Sequence, residues 1–427
     1  MWGLKILYSV IWIMKVVVEP KKKKKKEARG EKNRLKIEPK SRKKKKSFRI
    51  MASKLASMAS KRSSMPSRLL SLPEELQHEV IYRTPVEALI QSATLCKRWT
   101  ALLTNKKVIH THLDRSAERF IRTVDTVNVV DPVTRICSST SPVPREFQDP
   151  NNTDALLHCD GLMLCRLRGC HVKRFEPEDP RRPQIAIWNP VLRKVKWIMP
   201  SDCVSAYNNF GLGYKNRGDY LILRFPQIQY KFVEGENPVE IYELKNESWR
   251  TLEHVKVDWV VDRSCQGVSV LGNMYWVVAP EKKKKRKSYI LGFNFTVETF
   301  NDVCLCPPPP LSCGGDRYLS CYSKDRLSLL QEDTKSRKIE VWLSNNLADA
   351  SVSFTKHFSV ASPDHLVLKP REFTSYPVYC FVKPKSIVAW CEGAARQLRP
   401  NETMMSDAGF QTFVAMCMFQ VWCGCDG

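Results

Sequence analysis

No two of the 16 cysteines form a C-x-x-C pair, and none of the eight histidines belongs to an H-E-x-x-H motif or other spaced ligand set. The closest thiols, Cys304/Cys306 and Cys423/Cys425, are spaced C-x-C with no companion pair at a structural-zinc distance. Cysteines scattered along 427 residues read as reduced, mostly buried thiols of a cytosolic or nuclear protein, not as the disulfide framework of a small secreted one. Gly211-Leu-Gly213 lacks the further glycine and following helix of a dinucleotide-binding turn. No Ser/His/Asp grouping shows a sign of convergence. These absences predict a protein that works by binding, without catalytic residues, metal or cofactor.

An uninterrupted membrane-length apolar run is missing too. Met1–Val18 is apolar but carries Lys5 and Lys15, whereas a spanning helix needs about 20 apolar residues and tolerates a central lysine poorly. Its charges follow the apolar stretch, at Lys21–Lys26, where a signal peptide would carry them before it. Two readings stand: a tail held at a membrane by its polybasic flank, or an upstream extension of the frame with Met51 as the working start. The second is preferred, so no membrane partner is expected.

The net charge of +25 is unevenly held. Residues 1–68 carry 23 Lys/Arg against four Glu, a balance of +19, which leaves +6 for the rest, and Glu281–Lys287 supplies +5 of that. The remainder is near neutral. The runs Lys21–Lys26, Arg42–Lys46 and Lys282–Lys287 suit nuclear import or a solvated loop. No interleaved aromatics or reading helix accompany them, so specific nucleic-acid recognition is not expected. The expected location is the nucleus and/or the cytoplasm.

From Ser71 the pattern turns helical. Ser71-Leu-Pro-Glu74 fits a capping box with proline in the first turn, and Leu72, Leu76 and Val80 form a stripe at a spacing of four. Thr84-Pro-Val-Glu87 repeats the start signal, so the first helix should end near Arg83. A third apolar face follows in Leu95, Cys96, Trp99, Leu102 and Leu103. So short a helical module cannot close a core unaided. Either a partner covers Leu72, Leu76, Ile81, Leu89 and Trp99, or these helices pack on the rest of the chain.

Leu72-Pro-Glu-Glu-Leu76, Glu79-Val-Ile81, Arg83-Thr-Pro85, Leu89 and Cys96-Lys-Arg-Trp99 resemble the F-box in order, type and spacing. Ser92 departs from it, standing where F-boxes usually carry a bulky apolar residue, a loss of roughly 1–3 kcal/mol of packing. The resemblance implies docking on a Skp-type adaptor, and through it on a cullin–RING ubiquitin ligase. Carried over by position, Leu72, Pro73, Leu76, Ile81, Leu89 and Trp99 would be the adaptor contacts, with Glu74 and Glu75 complementing the helix dipole.

Downstream, β-branched and aromatic runs are broken by turn residues. Ile185–Trp188 with Trp197, Val239–Tyr242 with Trp249, Leu291–Phe295 with Phe300, and Ile339–Trp342 with Phe354 recur. A period near 50 suits kelch-like propeller blades, whose aromatics fill the spaces between stacked sheets. Gly161, Gly213 and Gly272 fit positive-φ turn positions. Trp188, Trp197, Trp249 and Trp276 read as blade packing, and Asn189-Pro190, Lys245-Asn246 and Gly272-Asn273 as hairpin turns. Cys159-Asp-Gly-Leu162, Trp188-Asn-Pro190, Phe210-Gly-Leu-Gly-Tyr214, Tyr220–Phe225, Glu240-Ile-Tyr242 and Gly272–Trp276 also resemble the plant F-box-associated interaction domain.

The expected organisation is a basic extension (1–66), a small all-α F-box of three short helices (67–113), a connector (114–153), an all-β propeller-like, kelch-like domain (154–362) and a divergent C-terminal part (363–427) that could supply final blade strands. The expected role is substrate recognition for a Skp–cullin–F-box ubiquitin ligase, with a protein substrate whose identity and contact residues are not legible. The rival reading is a divergent F-box protein uncoupled from the ligase.

Overall fold

The computed structural model describes residues 72–84, 88–89 and 97–115 and, within 118–417, the strands named below and most of the short turns between them. The extension 1–66, Ser71, Ser92, Leu95, Cys96, Lys282–Lys287 and Cys423/Cys425 lie outside the described residues. The chain divides into two compact units, Met1–Arg115 and Ser116–Gly427.

In the first unit, α1 (Glu74–Arg83), α2 (Lys97–Thr104) and α3 (Lys106–Arg115) are joined by hydrogen bonds and a small core. Ser71 of the expected box lies outside the described residues; the N-cap position is Pro73, whose carbonyl accepts from the amides of Leu76 (3.0 Å) and Gln77 (3.1 Å). The buried side is Gln77, Val80 and Ile81. Gln77 belongs there because its amide donates to the Leu72 carbonyl at 2.7 Å and pins the incoming chain. The expected second start at Thr84 lies only partly within the described residues. The Thr84 hydroxyl donates back to the Val80 carbonyl (2.6 Å), so it closes α1.

The module also closes more core than its first helices allow, because α3 joins it. Ile81, Leu89, Leu103 and Val108 form one buried cluster, with Tyr82 and Leu102 against it. His112 of α3 bonds the Thr84 carbonyl at 2.9 Å, and Glu79 bridges Arg83 (2.6 Å) and Arg115 (3.0 Å). The hydrogen bond from Arg83 holds the Glu79 carboxyl below its ordinary range.

The second unit is antiparallel sheet throughout its described residues. Its strands are β1 (Glu118–Thr123), β2 (Thr126–Val130) and β3 (Cys137–Pro142); β4 (Thr153–Cys159), β5 (Leu162–Leu167), β6 (Gln184–Asn189) and β7 (Lys194–Ile198); β8 (Asn208–Tyr214), β9 (Tyr220–Pro226), β10 (Glu240–Glu243) and β11 (Ser248–Thr251). They continue with β12 (Trp259–Val261), β13 (Val268–Val270), β14 (Asn273–Pro280), β15 (Tyr289–Asn294) and β16 (Thr299–Leu305); β17 (Arg317–Tyr322), β18 (Arg326–Asp333), β19 (Lys338–Ser344) and β20 (Phe354–Ala361). Last come β21 (Val378–Lys383), β22 (Ser386–Cys391), β23 (Ala394–Arg399), β24 (Glu402–Ser406) and β25 (Phe413–Cys417).

Among the described residues these make six sheets, five of them consecutive in sequence. In the sixth, β25 pairs with β1, setting Phe120 opposite Ala415 and joining the two ends of the unit. The first strands form a closed series of neighbours: β25 beside β4, β4 beside β8, β8 beside β14, β14 and β13 beside β17, β17 beside β21, and β21 beside β25. That is the propeller-like arrangement, with six blades. One expectation is corrected here. The stretch 114–153, read as a connector, carries β1–β3; the polar run Cys137-Ser-Ser-Thr and the prolines Pro132, Pro142 and Pro144 hide the pattern. The stretch after 363, read as a divergent part that could supply final blade strands, carries the β21–β24 sheet and the closing strand.

The repeat read from aromatic spacing falls on the third and fourth strands of consecutive sheets: β6/β7, β10/β11, β15/β16 and β19/β20. Trp249 stands opposite Tyr242 and Phe300 opposite Phe293. Trp188 and Trp276 are buried, and Trp249 packs against the core and donates its Nε1 hydrogen to the Met199 carbonyl at 2.7 Å. Trp197 departs from the packing role: it is 43% exposed, on an outermost strand with one solvent side.

The hairpins β10–β11 and β15–β16 end alike. Glu247 and Glu298 adopt φ 53° and 58°. Each carboxylate reaches the preceding sheet: Glu247 pairs with Lys196, and Glu298 with Lys215 (2.7 Å) and Arg250. Burial alone would raise the Glu298 carboxyl, but hydrogen bonds from Arg250 and Lys215 outweigh it and hold it below its ordinary range. Glu298→Ala and Glu298→Gly lose the same ion pairs, yet only alanine keeps the left-handed strain. Urea unfolding should therefore find the glycine variant more stable than the alanine variant by about 1 kcal/mol; equal stabilities would disprove the strain.

Candidate docking surfaces

The six positions expected to meet an adaptor divide by environment. Pro73 is exposed, Leu76 is 41% exposed and Leu72 is half-buried, all at the start of α1. Ile81 and Leu89 are interior, at 0% and 1%, and Trp99 lies in the first turn of α2 with a side chain outside the described residues. The structure thus brings Leu72, Pro73 and Leu76 together at one helix end, while Ile81 and Leu89 support it from within. The Leu72–Leu76–Val80 stripe is split, since Val80 faces inward at 3% and Leu76 outward. Glu74 and Glu75 stand exposed in the first turn, where their charge complements the helix dipole.

The β unit presents a second surface. Because strands alternate in direction, hairpins between first and second, and third and fourth, strands leave from one end of each sheet. The remaining connections leave from the other. The longest of them, 168–183, 227–239, 306–316 and 362–377, all belong to that second end. The short end has two-residue turns such as Asp160-Gly161 (φ 49° and 88°) and Leu271-Gly272 (φ 52° and 79°), the paired positive φ of a type I′ hairpin. Gly161 and Gly272 thus hold the expected turn positions. Gly213 does not: it lies inside β8 and serves close packing.

At the long-loop end, buried polar groups anchor the roots of the loops, and sequence inspection had missed them. Arg224 of β9 and Glu240 of β10 are register partners joined at 2.6 Å, with side chains 0% and 9% exposed. The Arg224 guanidinium also donates to the Pro238 carbonyl, and the Ser201 hydroxyl to Glu240. Arg166 donates to the Asn208 carbonyl at 2.6 Å and lies 5.3 Å from the Phe210 ring centre. The available signal was one arginine inside the apolar run Tyr220–Phe225. Long loops on roots held in this way can vary in sequence over a fixed base, which is what recognition requires.

The described thiols are poor nucleophiles. Burial raises Cys159 and Cys165 well above the ordinary range, and raises Cys304 and Cys306 to about 12. Burial pushes the His158 imidazole down to about 4, so it is neutral at pH 7. Among the described residues there is no grouping of three or more His, Cys, Asp or Glu able to hold a metal, and no helix long and apolar enough to cross a membrane.

The chain thus combines an apolar-tipped helical module with a loop-bearing ring of antiparallel sheets. The family model of the F-box associated beta propeller domain matches residues 102–415. Putative F-box only protein 15 of Arabidopsis thaliana is 43% identical over 76% of this chain and 83% of its own length. F-box protein At3g08750 of the same plant is 41% identical over 75% and 82%. This chain belongs to the F-box proteins with an F-box-associated β-propeller domain. Among solved structures, TolB from Acinetobacter baumannii aligns with a TM-score of 0.37 and 10% identity over 74% of this chain and 72% of its own, too distant to carry any argument.

Proposed function

We propose that this protein is the non-catalytic substrate-recognition subunit of a Skp–cullin–F-box type ubiquitin ligase. Its helical unit binds the Skp-type adaptor, and the long-loop end of its β unit holds a protein substrate. Ubiquitin transfer then follows from proximity, since linked binding raises the local concentration of the substrate at the partner enzyme. The observation that carries the adaptor half is Leu76, left 41% exposed beside Pro73 while the described core residues Ile81, Leu89, Leu103 and Val108 are buried together. Burying such a leucine in a partner contributes about 1.5–3 kcal/mol.

Co-purification with a Skp-type adaptor tests this. Leu76→Asp should reduce adaptor recovery about tenfold or more, since a desolvated carboxylate adds its own cost to the lost apolar burial, with helical circular dichroism unchanged. Ile81→Asp should instead lose the helical signal, because it places the charge inside the module's core. Wild-type recovery with Leu76→Asp, or no recovery with the intact wild-type chain, would overturn the ligase reading.

A further inference from the structure

We propose that Ser288 is a phosphorylation site, served by a basophilic serine/threonine protein kinase, and that Arg317 receives the phosphate. Two independent features meet at this residue. In sequence, Ser288 follows Lys282-Lys-Lys-Lys-Arg-Lys287 directly, so six cations precede the hydroxyl without interruption. A kinase with an acidic substrate groove selects its target by that charge pattern.

In the fold, Ser288 is half-buried just ahead of β15, and its hydroxyl accepts a hydrogen bond of 2.8 Å from the Arg317 guanidinium of β17, in the next sheet. Arg317 is only 9% exposed. The Ser288 carbonyl accepts from the Cys306 amide at 3.0 Å, which fixes the backbone at the acceptor residue. The hydroxyl is thus already directed at a cation in an environment of reduced water, where a charge-assisted contact is strongest.

The reaction is ordinary phosphoryl transfer. The Ser288 oxygen bonds to the γ-phosphorus of ATP, the bond from that phosphorus to the β–γ bridging oxygen breaks, ADP leaves, and the hydroxyl proton passes to the kinase's base. The product carries about −1.5 to −2 charges at pH 7 and three acceptor oxygens. Arg317 can then meet Ser288 through a two-pronged contact in place of the one hydrogen bond to its hydroxyl, fastening the root of β15 to the first strand of the neighbouring sheet. Asp262 and Arg317 both act on the Cys306 thiol, so Asp262 is one negative charge in this neighbourhood. Arg317 must therefore outweigh it for the phosphate to be accommodated. The modification also offsets up to two of the positive charges that precede it in sequence, Lys282–Lys287.

The intact chain should be incubated with the catalytic subunit of a basophilic serine/threonine kinase and Mg-ATP, and occupancy at Ser288 read by site-resolved mass spectrometry. Replacing Lys282–Lys285 with serine should lower occupancy at Ser288 at least about tenfold if the charge pattern directs the kinase. Phosphorylated wild type should melt about 2 °C or more above the unmodified protein, and this gain should vanish in phosphorylated Arg317→Gln and largely return in Arg317→Lys. No phosphate at Ser288 in the folded chain, or a phosphorylation effect on melting that is the same in wild type and Arg317→Gln, would overturn the proposal.

Discussion

Replacing Arg224 with methionine should destabilise the β unit by about 3–5 kcal/mol, because Glu240 is then left charged and buried without its cation. The pair is joined at 2.6 Å with side chains 0% and 9% exposed. Replacing both residues, Arg224→Met with Glu240→Leu, should recover most of that loss, since a buried ion pair exchanged for apolar groups of similar volume is often neutral. The recovery will not extend to the loops. The Pro238 carbonyl and the Ser201 hydroxyl both bind this pair, so the double variant loses the tethers of the connections at 199–207 and 227–239. Denaturant unfolding of both single variants and the double variant, with proteolysis reporting on the loops, separates the two effects. A single-variant cost below about 1 kcal/mol, as at a solvent-screened surface pair, would show that the pair is not buried in solution.

How much of this was legible in the sequence depended on where each contact's partner lies. The hairpins β6/β7, β10/β11, β15/β16 and β19/β20 were readable because strand, turn and strand lie within a short stretch and each carries its own aromatics, as Tyr242 with Trp249 and Phe293 with Phe300 show. The closure of the ring was not. It pairs Glu118–Arg122 with Phe413–Cys417, and no local pattern marks strands that recognise each other across the whole unit. The period also assigned Trp197 and Trp249 the same role. Trp249 finds the Met199 carbonyl and the side of Tyr242, whereas Trp197 sits opposite the small Ala186 and stays largely open. In the helical unit, the spacing of four marked α1 and the Thr84-Pro signal its end near Arg83, but the Leu72–Leu76–Val80 stripe does not lie on one side of the core. A hydrogen bond from Gln77 to the chain before the helix draws a polar residue inward and leaves Leu76 out. That outward leucine is one of the six candidate adaptor contacts, and the same hydrogen bond that buries Gln77 leaves it exposed.

Gly213 carries the second large expectation, and its role is close approach, not turn geometry. It lies in β8, where an added Cβ would come within 2.3 Å of both the Gly272 carbonyl oxygen and the Phe295 ring. The next amide, that of Tyr214, donates to the same Gly272 carbonyl at 3.0 Å, a backbone bond between neighbouring sheets. Gly272 is under the reciprocal constraint, since its own Cβ would meet the Tyr214 ring at 2.3 Å. The two glycines therefore permit one inter-sheet contact from opposite sides. Gly213→Ala must push backbone away from backbone, breaking that bond and displacing Phe295, which is 0% exposed. The expected loss is about 3 kcal/mol or more, the upper range for overpacking because neither obstacle is the far end of a flexible side chain. Gly218→Ala is the informative control. Gly218 has φ 108° with nothing near its missing Cβ, so alanine there meets backbone strain alone, about 1–2 kcal/mol. Denaturant unfolding followed by tryptophan fluorescence should rank Gly213→Ala as the more damaging of the two. The reverse order would mean that the sheets can separate at β8 without cost, and that the Tyr214–Gly272 bond does not hold them together.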